Sequence, residues 1–107
     1  MKNLRKALAV AVAAAALCTT FATPAHAGRG SFAYRVDGWF EVFEIHDPED
    51  GRCYNTLLGE AHGPANHTDR VAVLHRGTDC HDGAIVTFVE PGQWAPDHFG
   101  SVRFLVR

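Results

Sequence analysis

The chain has 107 residues, room for one domain, and carries 10 basic against 12 acidic side chains. With no basic surplus it lacks the charge footprint of a phosphate-binding or anionic-lipid-binding protein. Its longest uncharged apolar run, Ala7–Leu17, is too short to span a bilayer of about 30 Å hydrocarbon thickness, which excludes a membrane-inserted helix from the expected readings.

In chain order, Met1–Lys6 is a basic head, Ala7–Leu17 an apolar run, and Ala25-His26-Ala27 a small-x-small cleavage signal. This pattern predicts a secretory signal peptide over residues 1–27 and an extracellular protein beginning at Gly28. Lys2, Arg5 and Lys6 leave with the signal, so 7 basic side chains face 12 acidic ones and the secreted part is acidic at −5, counting histidine as neutral.

Gly28–Gly38 opens with Gly-Arg-Gly and places Phe32 and Tyr34 on one face if extended. Two readings stand for it: a first strand of the domain with its aromatics in the core, or an arm that adds as a strand to another protein's sheet edge. Trp39 and Phe40 follow after the Asp37-Gly38 turn. Four large aromatics within nine residues exceed what one short strand of a small domain needs to bury, so Phe32, Tyr34, Trp39 and Phe40 form the expected partner-binding set.

Short β-branched and aromatic runs then recur at 39–45, 53–57, 71–74, 84–89 and 101–106. Turn chemistry separates them at 47–51, 63–66, 79–83 and 90–92. No segment shows a helical period. The expectation is an all-β fold, an antiparallel sandwich or small barrel over 39–107 preceded by an arm or edge strand at 28–38. Asn66–Arg70 leading into Val71 and Asp97–Ser101 leading into Val102 share a weak theme between the two halves, short of a clear repeat.

Two cysteines remain in the secreted part, Cys53 and Cys80, and an oxidising compartment favours their pairing. Their spacing without a CxxC fits no common zinc pattern. The six histidines of this part form no HxH, HxxH or HExxH pair, so no metal site and no cofactor are expected. Catalysis is not expected either. Ser31 and Ser101 are the remaining serines and neither lies in a nucleophile elbow, while Asp47, Glu49, Asp50 and Glu60 read as a solvated face of the loops.

The closing stretch, Ala84–Val89, a glycine-containing hairpin, then Asp97-x-Phe99-x-Ser101-Val102-Arg103-Phe104, resembles a βγ-crystallin Greek-key motif, and the resemblance implies a small antiparallel Greek-key β-sandwich over 39–107. Asp97-His98 and Ser101-Val102 depart from the adjacent acidic and hydroxyl pairs that the calcium-binding form uses, so the resemblance does not imply calcium. The layout, a disulfide-linked β domain with an aromatic front after a signal peptide, is also similar to the adaptor subunit of actinobacterial umbrella toxins. That resemblance implies a non-enzymatic module joining a lectin subunit to a large toxin-bearing subunit in an extracellular antibacterial complex. Two other functions remain open: an inhibitor of an extracellular (metallo)proteinase, or a free-standing antimicrobial or carbohydrate-binding protein with Trp94 as its stacking residue.

Overall fold

The computed structural model describes residues 27–107; the expected signal peptide, apart from Ala27, lies outside the described residues. Eight strands follow in order: β1 Gly30–Val36, β2 Val42–His46, β3 Cys53–Asn55, β4 Ala61–Thr68, β5 Val71–His75, β6 Ile85–Val89, β7 His98–Phe99 and β8 Ser101–Leu105. A 3-10 turn, Asp82–Ala84, precedes β6.

The strands form two four-stranded antiparallel sheets, ordered β2-β1-β4-β7 and β3-β8-β5-β6. The order carries an internal two-fold relationship. Strands β1–β4 and β5–β8 are two equivalent halves, and each half gives its third strand, β3 or β7, to the edge of the other half's sheet. The result is a Greek-key β-sandwich. The weak sequence theme does not coincide with this repeat, because residues 66–71 sit at the β4–β5 junction whereas residues 97–102 sit at β7–β8.

Alternation along the strands builds the core. Phe32, Tyr34 and Val36 of β1 point inward with Ala72 and Leu74 of β5, Phe99 of β7, and Val102 and Phe104 of β8. Phe32 sits edge-on to Phe99 and Phe104, with ring centroids 5.9 and 5.3 Å apart. The first of the two readings of residues 28–38 is therefore the one the fold takes. β1 is neither a mobile arm nor an edge strand: it is hydrogen-bonded to β2 on one side and β4 on the other, which leaves no free backbone edge for a partner's strand.

Two further expectations change. Gly63–Asn66, read as a turn, lies inside β4. Pro64 is tolerated because the register of β4 against β1 skips at that point, and Gly63, at φ 58°, supplies the left-handed conformation of a bulge. Asp50, read as solvated, instead accepts a hydrogen bond on Oδ1 from the Arg70 Nε–H at 2.7 Å in a largely buried pair. Asp47 likewise is used structurally, its Oδ1 accepting from the Gly30 amide at 2.9 Å.

Cys53 and Cys80 are disulfide-bonded. The bond ties β3, a strand of the first half, to the β5–β6 loop of the second.

Candidate functional site

The β1–β2 hairpin closes through a tight turn in which the Trp39 amide donates to the Val36 carbonyl oxygen at 3.1 Å. Gly38 takes φ 83° there, a value its side-chain-bearing neighbours would resist. The turn throws its next residues clear of the sandwich. Trp39 is 47% exposed and Phe40 99% exposed, with Val42 also uncovered. Isolated apolar side chains on a surface are ordinary; here two large ones stand next to each other on a projecting tip.

The four aromatics expected to bind a partner thus separate into two pairs. Phe32 and Tyr34 belong to the core, where Tyr34 stacks on Phe43 at 5.7 Å and its Oη accepts from the Leu57 amide at 3.2 Å. Trp39 and Phe40 stand at the tip. Sequence reading joined the pairs because the alternation that buries one set ends at the turn, which a count of aromatics does not register.

Beside the tip lies the outer face of the β2-β1-β4-β7 sheet, and the register orders it into rows. One row runs Val42, Arg35, His62, His98; the next runs Glu44, Ala33, Ala65, Trp94. Residues opposite each other across strands share a face. The two alanines leave a shallow floor, and Trp94, 70% exposed, forms its rim.

At the end of the first row, Asp37 of the turn meets the histidines. His62 Nδ1 lies 3.1 Å from Asp37 Oδ1, and the His62 and His98 rings are 5.4 Å apart. One ligand atom from each of Asp37, His62 and His98 falls within 4.8 Å of the others. No spacing rule could find this cluster. The histidines belong to strands far apart in sequence that pair only through the β4–β7 register.

The opposite sheet is different. Its outer face is partly roofed by the β5–β6 loop, held by the disulfide, by the Asp79 amide donating to Asn55 Oδ1 at 2.8 Å, and by Ser101. The Ser101 hydroxyl donates to the Gly77 carbonyl oxygen and accepts from the Cys80 amide, each at 2.9 Å, so it is bound up in holding the loop. Ile85, Phe88 and Leu105 remain exposed around this roof. Among the described residues no helix is long and apolar enough to cross a membrane.

Comparison of the chain with protein-family models, with curated proteins and with solved structures gives no match.

Proposed function

We propose that the chain is a secreted, non-enzymatic protein-binding module that seats the tip of its β1–β2 hairpin in a partner. The observation that carries this reading is the pairing of a fully exposed Phe40 with a half-exposed Trp39 on a turn held by the rigid sandwich. Aromatic anchors of this kind contribute most of the binding energy in protein interfaces, and a preformed turn loses little entropy when it docks. Asp37 and Glu41 flank the tip in the chain, so the complementary site is an apolar pocket with a basic rim.

An adaptor joins two components and needs two surfaces. The second is the exposed apolar set Ile85, Phe88 and Leu105 on the other sheet. This arrangement favours the adaptor role implied by the likeness to umbrella toxins, with a lectin subunit on one side and a large toxin-bearing subunit on the other. Export through residues 1–27 and the disulfide fit an extracellular setting.

The test is affinity purification from culture supernatant with three chains: wild type, Phe40→Ala and Phe88→Ser. The adaptor reading expects two different large proteins to accompany the wild type, with each substitution losing one of them. Recovery of the wild-type chain alone defeats it. A second reading, glycan binding, draws on Trp94 at the rim of the alanine floor, since sugars stack on exposed indoles. On that reading Trp94→Ala abolishes binding to a glycan array while Phe40→Ala does not.

A further inference from the structure

The two halves of the fold solve the same mechanical problem at two places, and only one of the solutions is covalent. In the second sheet, Cys53 on the edge strand β3 faces Arg103 on β8 and is bonded to Cys80 in the β5–β6 loop. Asp82 of the same loop lies 4.0 Å from Arg103. The internal two-fold carries β3 onto β7, β8 onto β4, and the β5–β6 loop onto the β1–β2 hairpin. At the corresponding place in the first sheet, His98 on the edge strand β7 faces His62 on β4, and Asp37 of the β1–β2 hairpin lies 3.1 Å from His62. The histidine–aspartate cluster thus occupies the position that the disulfide occupies in the other half.

We propose that Asp37, His62 and His98 bind a divalent transition-metal ion of the zinc class, which ties the β1–β2 hairpin to the edge strand β7 as the disulfide ties the β5–β6 loop to β3. The donor set decides the chemistry. Two imidazoles and one carboxylate suit zinc, nickel or copper, whereas calcium and magnesium demand oxygen ligands.

Geometry supports the assignment. A zinc ion about 2.0–2.1 Å from each donor holds its ligand atoms about 3.3 Å apart. The three donors already lie within 4.8 Å of one another, and Asp37 and His98 are exposed side chains that close the remainder by rotation. His62 Nδ1 is shut off from solvent and, although 3.1 Å from the Asp37 carboxylate, makes no hydrogen bond among the described residues. Two donors that are close but not aligned on each other are disposed as ligands of a common ion. Arg35, the other neighbour of His62 on this face, is exposed and long enough to hold its guanidinium in water. Three protein ligands leave a fourth position open to water.

The site differs from the Trp39–Phe40 anchor and does not depend on it. Titration calorimetry of the untagged, disulfide-intact protein with zinc is expected to show one ion per chain. His98→Gln, His62→Gln and Asp37→Asn should each weaken it by about ten-fold or more, since even the loss of a group that only orients a metal ligand costs that much. His67→Gln, on the same sheet but outside the cluster, should bind as wild type does. Zinc at about 100 times its Kd should raise Tm by about 10 °C or more, and calcium should leave it unchanged. Wild-type protein that takes up no zinc saturably overturns the proposal. So does equal weakening by His67→Gln, or calcium binding as tight as zinc binding.

Discussion

Asn66 reaches from one sheet to the other: its Nδ2 donates to the carbonyl oxygen of Val89 at 2.8 Å. The same amide donates to the Arg70 carbonyl oxygen at 2.7 Å, while its Oδ1 accepts from the Thr68 amide at 3.0 Å and the Thr68 hydroxyl at 2.6 Å. A fully buried side chain with every group partnered holds β4, the β4–β5 connection and the end of β6 together. Asn66→Asp replaces a donor with an oxygen facing two carbonyls and should lower stability by about 3 kcal/mol or more. Urea denaturation read by tryptophan fluorescence measures it; a loss below about 1 kcal/mol would show that the link between sheets is dispensable.

The disulfide closes a loop of 27 residues in sequence separation. Cys53→Ala with Cys80→Ala should cost about 2–5 kcal/mol, as for other small domains with a single staple. The variant remains folded at low temperature but melts earlier. Mass spectrometry of unreduced wild-type protein that found two free thiols would contradict the pairing.

Phe32 and Phe40 provide an internal contrast, since both are phenylalanines of the same hairpin, one buried and one exposed. Phe32→Ala should destabilise the fold by about 3–5 kcal/mol by opening a cavity among Phe99 and Phe104. Phe40→Ala should leave the melting curve in place and remove about 2 kcal/mol or more of partner binding. The opposite pattern, a fold sensitive to Phe40, would mean that the tip packs on its own domain.

His75 gives the molecule an acid-side weakness. Burial pushes its pKa below the usual value, and the Arg103 guanidinium acts in the same direction. The folded state therefore takes up the proton less readily than the unfolded chain. Its contribution is fully present above about pH 6.5, where the side chain is neutral in both states, and is lost as pH falls below that value. Melting temperatures between pH 7.5 and 5.5 should decline, and His75→Gln should flatten part of the decline. An unchanged slope in the variant would assign the acid sensitivity to other groups.

Legibility in the sequence followed how local each signal was. Residues 71–74, 84–89 and 101–106 read as strands because β-branched runs bounded by turn formers need no distant information, and β5, β6 and β8 lie there. The pairing of Cys53 with Cys80 was legible because the two cysteines beyond the expected signal peptide leave one choice. β4 was hidden by Gly63 and Pro64, whose turn chemistry is real but serves a bulge within a strand. β1 carried the right alternation, yet its interior position depends on β2 and β4 arriving on either side. The Asp37, His62 and His98 cluster was least legible, since its members meet only once the register of β4 with β7 is fixed.

The exchange of third strands also determines when the molecule comes into being. The first sheet lacks its fourth member until residues 98–99 are in place, and the second lacks an interior strand until residues 101–105 join β3 to β5. Before residues 98–105 join, both sheets hold open edges and neither half is complete. Pairings between such distant segments slow folding and leave the sheet edges exposed to edge-to-edge association until residues 98–105 are in place. Loss of residues 98–107 would remove a strand from each sheet at one stroke, leaving no smaller unit that could survive.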